Sequence, residues 1–145
     1  MDQIDKEIVK ELQKNAKISM KELAEVVHLS SPAVIERVRK LEEQQVIEGY
    51  HAQVDVKKMD RPISAIILFK SKDCKALSNF CHNHPDVLEY YRVAGEISYI
   101  VKLATNSVKS LEKFIDESML YGTPSTNIVL SSYENKVIEP FTLEG

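Results

Sequence analysis

Residues 19–41 constrain the fold more than any other stretch, because their pattern predicts two short helices joined by a tight turn. Ser19 and Glu22 have the spacing of a capping box, in which each side chain accepts the backbone N–H of the other residue. A helix therefore begins there. After a polar break, Ser31 and Pro32 start a second helix, with a serine cap and a proline at the first helical position.

The second of these helices has an outer surface suited to a DNA groove. Val34, Val38 and Leu41 recur at spacings of four and three residues and are predicted to face inward. Small residues near its start and cations further along then face outward, as in helices that enter the major groove. The residues predicted to contact DNA are Ser31, Pro32, Ala33, Glu36, Arg37, Arg39 and Lys40. A helical hairpin that never binds nucleic acid can have the same spacing, so this pattern leaves both interpretations open.

The charges near this hairpin give conflicting indications about DNA binding. Lysines recur at spacings of four, four and three residues along the preceding helix, which favours a phosphate-contacting edge: Lys6, Lys10, Lys14 and Lys17. Residues 1–60, however, carry ten Lys and Arg against twelve Asp and Glu, a formal charge of −2, where a strongly basic module would be expected. We therefore expect local attraction and weak binding by a single copy.

The character of the sequence changes over a short polar segment. We predict a helix-turn-helix domain over residues 1–54, a linker over 55–61 and a second domain over 62–145. Each part is small for a domain that is stable alone, so we expect oligomerisation to contribute to stability. No apolar run approaches the ~20 residues that a membrane span needs, and the N-terminus is charged. We therefore predict a cytoplasmic protein with no membrane partner.

The two cysteines allow a structural and a metal-binding interpretation. Cys74 and Cys81 lie seven residues apart on one predicted helix, which separates their Cα atoms by ~10 Å and excludes an intramolecular disulfide. Together with His82 and His84 they could be zinc ligands. The sequence has no C-x-x-C pair and Cys81 fits the apolar face of the helix, so core cysteines are favoured. We predict neither a metal site nor another cofactor.

From residue 62 the pattern alternates in the order strand, helix, strand, strand, helix, strand. The strands are predicted at residues 63–71, 87–94, 97–104 and 127–133, and a further extended segment at 46–54 follows the third helix. The predicted fold class is therefore α+β. It comprises an N-terminal three-helix helix-turn-helix domain, winged-helix-like, followed by a ferredoxin-like βαββαβ domain.

Two strands of the second domain are apolar on both faces. Ile66 and Leu68 alternate with the core residues of the first strand, and Ile100 and Ala104 repeat this on the third strand. Helices cover only one face of such a sheet, so the other apolar face is predicted to be a dimer surface.

Several short motifs, in this order and spacing, resemble the Lrp/AsnC ("feast/famine") family of prokaryotic transcriptional regulators. They are Asp5–Ile8, Leu29–Ser30, Arg37–Glu42, Val46–Tyr50 and Val93–Glu96. The resemblance implies a helix-turn-helix domain that binds double-stranded DNA and a ligand-sensing, oligomerising domain (the RAM domain). It also implies dimers that assemble into tetramers or octamers, and a small amino-acid effector.

The resemblance places an effector site at the loop before the third strand, at Gly95, Glu96, Ser98 and Tyr99. Ser98 stands where an aspartate is common in the family, so we predict weak or absent binding of simple amino acids. His28 stands where the helix turn usually has glycine, and histidine tolerates left-handed backbone angles better than most residues.

Two other classes of function compete with a regulator. An enzyme could use the ferredoxin-like fold, but no nucleophile set, metal set or glycine-rich phosphate loop accompanies the histidines and glutamates of the second domain, so no catalytic residue is predicted. A nucleoid-architectural protein that bends or wraps DNA, with little sequence preference and no effector, is the alternative to a transcriptional regulator. A footprint phased at one helical turn and longer than one operator would identify it.

Overall fold

The structure is a computed structural model that describes residues 1–134 and 137–141, and contacts divide the chain into two units. The first unit contains residues 1–53 together with the described residues from Tyr133 onward. The second unit is Val54–Ser132. This grouping differs from the predicted limits at the C-terminal end, where residues up to 145 were expected to belong to the second domain.

Three capped helices form the body of the first unit. These are α1 (Gln3–Lys14), α2 (Met20–Val27) and α3 (Ser31–Glu43). Asp2 caps α1, and Ser19 and Glu22 form the predicted capping box of α2. At α3 the prediction was wrong by one residue, because Ser30 is the cap and accepts the N–H of Ala33 at 3.4 Å.

The predicted apolar stripes form one core. The buried residues are Ile8, Leu12, Leu23, Ala24, Val27, Val34, Val38 and Leu41. His28 caps the C-terminal end of α2 with a φ of 57°, in the left-handed region, as its place at the helix turn led us to expect. The helix period therefore predicted both the inward and the outward side of α3.

The strand predicted at residues 46–54 is absent. Gln45 adopts a left-handed φ of 57°, and the N–H groups of Val46 and Ile47 both donate to the Leu41 carbonyl, at 2.9 and 3.1 Å. The chain is therefore held against the end of α3 rather than extended beside a second strand. A strand needs a hydrogen-bonded neighbour, and the described part of this unit contains none.

A short C-terminal segment, residues 137–141, is bound to α1. The side-chain amide of Gln13 donates to the Ile138 carbonyl at 2.7 Å and accepts the Ile138 N–H at 2.8 Å. Lys10 forms an ion pair with Glu139 at 2.9 Å. These contacts explain why the tail belongs to the first unit. No local pattern could predict them, because the partners are 125 residues apart.

The second unit has the predicted ferredoxin-like order. Its elements are β1 (Ile63–Ser71), α4 (Cys74–Asn83), β2 (Val87–Arg92), β3 (Tyr99–Thr105), α5 (Val108–Ser118) and β4 (Gly122–Ile128). The four strands lie in the order β2-β3-β1-β4, and every pairing is antiparallel. Side chains from α4, α5 and one face of the sheet form its core: Ala65, Ile67, Phe69, Leu77, Cys81, Tyr99, Val101, Leu103, Leu111 and Phe114. The α+β fold class is confirmed.

The last strand begins five residues earlier than predicted, because turn residues lie inside it. A Cβ at Gly122 would stand 2.8 Å from the Lys70 carbonyl oxygen, so glycine allows the backbones to pair closely. Pro124 pairs with Phe69 on an edge strand, where a missing N–H is tolerated. Likewise β2 ends at Arg92 and β3 begins at Tyr99, so the connecting loop is longer than the predicted hairpin turn.

The sheet face away from the helices is partly apolar. Ile66, Leu68 and Ile100 are half-buried on it, and Tyr91 is 53% exposed. Ala104 shares this face but is fully buried. Lys102 pairs with Ile66 on the same face, so its apolar centre is bordered by charge.

The predicted linker is attached to the second unit. A 3₁₀ turn spans Val56–Met59, and Arg61 forms an ion pair with Asp86 and donates to the Ala104 carbonyl at 2.8 Å. Thr105 also donates to Asp86, at 2.8 Å. Burial opposes ionisation of Asp86, but the hydrogen bonds from Arg61 and Thr105 prevail and lower its pKa.

Candidate nucleic-acid interface and effector loop

The structure places the seven predicted DNA-contacting residues outside the core, at the start of α3 and along its outer side. Pro32, Glu36, Arg39 and Lys40 are exposed, whereas Ser31, Ala33 and Arg37 are half-buried. The serine cap and the small residues leave the first turn of α3 narrow. A helix end of this shape can approach the floor of a groove closely.

Arg37 connects α3 to the start of α1. Its guanidinium donates to Asp2 at 2.7 Å and to Asp5 at 3.0 Å. The Asp5 N–H and the Arg37 guanidinium both hold the pKa of Asp2 below its usual range. Arg37 therefore has a tertiary structural role, which the spacing of residues along α3 could not reveal.

Arg39 is held by carboxylates of its own helix. Its Nε and Nη2 donate to the two oxygens of Glu36 at 2.9 and 2.6 Å, and Nη1 contacts Glu43. These bonds lower the pKa of Glu36 and raise the pKa of Arg39. The charge of Arg39 is compensated before any ligand arrives.

Lys40 is the cation of this surface without an ion pair among the described residues. Part of the lysine stripe of α1 is also paired with acidic residues: Lys10 contacts Glu139, and Lys14 contacts Glu11 at 3.0 Å. Of the ten lysines and arginines among residues 1–60, four have an ion pair with a described residue: Lys10, Lys14, Arg37 and Arg39.

Ser98 closes the predicted effector loop. Its carbonyl accepts the Val93 N–H at 2.9 Å, and its own N–H donates to the Phe69 carbonyl at 2.8 Å. Its hydroxyl accepts the Ser71 N–H at 3.2 Å. The N–H and the hydroxyl of Ser98 therefore both bond to β1, a central strand of the sheet, and its carbonyl bonds to Val93 across the loop.

The other three residues of the predicted effector site lie in different environments. Tyr99 is 4% exposed, and its hydroxyl donates to the Cys74 carbonyl at 3.2 Å under α4. Glu96 is exposed and lies 3.4 Å from the Lys70 ammonium. Gly95 has open space around it and no positive φ. The second unit alone does not enclose the four residues in one cavity.

The cysteines have the environment predicted for core residues. Cys81 is buried, which raises the pKa of its thiol to about 11, and Cys74 is half-buried. Among residues 1–134 and 137–141 there is no group of three or more side chains that could hold a metal ion. No described helix is long and apolar enough to cross a membrane.

Comparison with known proteins identifies both units. The family model for the AsnC-type helix-turn-helix domain matches residues 1–42, and that for the Lrp/AsnC ligand binding domain matches residues 64–137. The uncharacterized HTH-type transcriptional regulator YezC of Bacillus subtilis is 47% identical over 132 residues, which is 91% of this chain and 95% of that protein.

Solved structures agree with the sequence relatives. The sequence resembles LrpC of B. subtilis among individual regulators, and LrpC is 35% identical over 94% of this chain and 96% of its own length. The LrpC structure superposes with a TM-score of 0.89 and covers 94% of this chain. The M. tuberculosis feast or famine regulatory protein complexed with L-methionine is 28% identical, with a TM-score of 0.88 over 96% of this chain.

The relatives are regulators of transcription, which favours this function over an architectural one. Both units, in the same order, are matched by the family models and by the relatives. The chain therefore belongs to the Lrp/AsnC family and is a DNA-binding transcriptional regulator of that type.

Proposed function

We propose that the outer surface of α3 enters the major groove of double-stranded DNA, with Ser31, Pro32, Ala33 and Glu36 near the bases. The position of these residues at the start of α3 supports this proposal. Lys40, which has no ion pair with a described residue, contacts a phosphate. The regulator acts on DNA in the cytoplasm and has no catalytic role.

A salt titration tests the DNA surface. Lys40→Ala should weaken binding equally on all sequences and lower the slope of log affinity against log salt by ~0.9 per protomer. Lys113→Ala, on the exposed side of α5, is the matched control and should leave the slope unchanged. The measurement is fluorescence anisotropy of labelled duplex between 50 and 200 mM salt. Equal slopes for the wild type and Lys40→Ala would remove this residue from the interface.

We further propose that the regulator acts as a multimer built through the uncovered sheet face. Ile66, Leu68 and Ile100 give that face an apolar centre that a monomer would leave in water. A single DNA-binding unit with compensated charges binds weakly, and joining several units raises the effective concentration of each at its half-site.

A charge placed on the sheet face tests the multimer. Leu68→Glu should give monomers in light scattering and lower DNA affinity by about 100-fold, because multivalent binding is lost. Val108→Glu, at an exposed position on α5, adds the same charge elsewhere and should change neither property. Wild-type protein that is monomeric at micromolar concentration would contradict the proposal.

We propose that an amino-acid effector acts at the loop containing Gly95 and Glu96, and that the native chain binds simple amino acids weakly. The L-methionine complex of a family member supports the class of ligand. An ammonium needs an acceptor, and the neutral hydroxyl of Ser98 is a weaker one than a carboxylate. Calorimetry with leucine and methionine tests this. Tight binding to the unmodified chain, undiminished in Glu96→Ala, would show that the effector site lies elsewhere.

A further inference from the structure

The Glu36 and Arg39 side chains on α3 have a geometry that suits recognition of a particular base, in addition to general affinity for DNA. Arg39 donates to both oxygens of Glu36, at 2.9 and 2.6 Å, so the two groups form a planar fork. The side chains of Arg39 and Glu36 are 49% and 50% exposed. A bidentate fork fixes the plane of the carboxylate relative to the helix, which a single ion-pair contact does not do.

The position of Glu36 suits the reading of bases. It lies on the second turn of α3, beyond the short side chains of Pro32 and Ala33. Residues in the first turns of a recognition helix are those that reach base edges, and short side chains ahead of Glu36 allow the helix to approach. Glu36 is exposed and longer than these neighbours. It can therefore extend further toward a base.

The chemistry of a carboxylate limits which base it can bind. An ionised carboxylate only accepts hydrogen bonds, and Arg39 uses one lone-pair site on each oxygen of Glu36, which leaves acceptor sites on both. In the major groove cytosine presents the N4 amino donor, whereas guanine and thymine present acceptor oxygens. Adenine presents a donor beside the N7 acceptor, and that acceptor repels a carboxylate. Cytosine is the base that Glu36 matches.

Arg39 is oriented from both sides, because Glu43 contacts it opposite Glu36. A guanidinium held in this way is fixed in position, and it fixes the Glu36 carboxylate in turn. We propose that Glu36 reads a cytosine in the operator and that Arg39 is its positioning residue. This inference rests on the proposed binding of DNA through α3.

The test is selection of binding sites from a randomised duplex library by the full-length protein. Glu42→Gln is the matched control for Glu36→Gln, since it removes one negative charge from an exposed position of the same helix and leaves both carboxylate partners of Arg39 in place. The wild type and Glu42→Gln should select cytosine at the same position of each half-site. Glu36→Gln should lose that preference and select adenine there, because an amide pairs with adenine N6 and N7.

Affinities for single probes give the size of the effect. Replacing the selected cytosine by thymine should weaken wild-type binding about 5- to 150-fold, the range for loss of one good base contact, and Glu36→Gln binding by less than about twofold. Arg39→Lys keeps the charge but cannot form the fork, so the ratio of its affinities for the two probes should be smaller than the wild-type ratio. This second variant separates positioning from charge.

The outcomes distinguish this inference from the proposed function. Glu36→Gln with the same base preference as the wild type would overturn the reading of cytosine, and so would a wild type that binds DNA without preference for cytosine. In both cases the DNA-binding proposal would stand. A wild type that retains no duplex from the library would overturn the proposed surface and this inference together. Circular dichroism of each variant confirms that α3 is folded.

Discussion

The outer surface of α3 and the loop at residues 93–98 carry the two predicted sites, and they use their side chains in opposite ways. On α3, Glu36, Arg39 and Lys40 are exposed, and Glu36 and Arg39 contact each other along one helix. At the end of the loop, Ser98 accepts the Ser71 N–H, and Tyr99, the first residue of β3, donates to the Cys74 carbonyl, so the fold uses both side chains. The period of a helix determines which of its side chains are exposed. In a loop, the exposed side chains are those that make no contact with neighbouring elements.

The largest predicted difference in the free energy of unfolding is between substitutions at the buried Tyr99 and at the exposed Glu96. Tyr99→Ala should lower the free energy of unfolding by about 3 kcal/mol, because a buried aromatic ring is lost. Tyr99→Phe removes only the hydrogen bond to Cys74 and should cost about 1 kcal/mol. Glu96→Ala, at a fully exposed position, should leave unfolding unchanged. Urea denaturation measures all three, and a large effect of Glu96→Ala would show that this exposed loop residue also stabilises the fold.

A second test concerns the partly buried ion pair between Arg61 and Asp86 in the second unit. Asp86→Asn should lower stability by about 2 kcal/mol at pH 7, because Arg61 loses its charged partner. The pKa of Asp86 is lowered in the folded state. Its contribution is therefore complete above the unfolded value, near 4, and is lost as the pH falls through the folded value. The difference between variant and wild type should shrink in urea titrations below pH 4. A constant difference would show that charge is not its origin.

The two arginines of α3 offer a comparison within one element. Arg37 joins α3 to the start of α1, while Arg39 contacts only residues of its own helix. Arg37→Ala should therefore lower the thermal midpoint measurably, and Arg39→Ala should leave it close to the wild-type value. Differential scanning fluorimetry at low and high salt measures both. Equal midpoints would mean that the Asp2 and Asp5 contacts do not hold the helices together.

The smallest predicted effect is a gain of effector binding. Ser98→Asp introduces the carboxylate that the family commonly has at this position, and it can still accept the Ser71 N–H. An ammonium bound by a charged rather than a neutral acceptor should be held about tenfold more tightly, because charge-assisted bonds are roughly twice as strong. Calorimetry with a simple amino acid measures this, and Ser98→Asn is the uncharged control. A gain that also appears in Ser98→Asn would exclude charge as the reason.

The sequence predicted the first unit's helices and core because period and capping are local properties. Val34, Val38 and Leu41 could be placed inward from their spacing alone. The role of Arg37 could not be predicted, because its partners belong to another helix. The strand expected at 46–54 failed for a related reason: extended residues form a strand only beside a neighbour.

In the second unit the order of elements was predictable and their ends were not. Gly122 and Pro124 are turn residues by type, but their place on an edge strand beside Lys70 makes them strand residues. The family resemblance named the effector residues, but it could not predict that Ser98 bonds to β1 and Tyr99 to α4 while Glu96 stays exposed, because a short motif does not specify tertiary partners.

Because the tail bonds to Gln13, the first unit cannot be completed until the whole second unit has been synthesised. Residues 54–132 are made between the helices of the first unit and the tail that contacts them. At ~5–20 residues per second, the 95 residues between the end of α3 and Ile138 take roughly 5 to 19 s to synthesise. During that interval Gln13 and Lys10 face water. A fragment that stops near residue 60 would retain this unfinished state permanently, so no single cut can release the first unit whole.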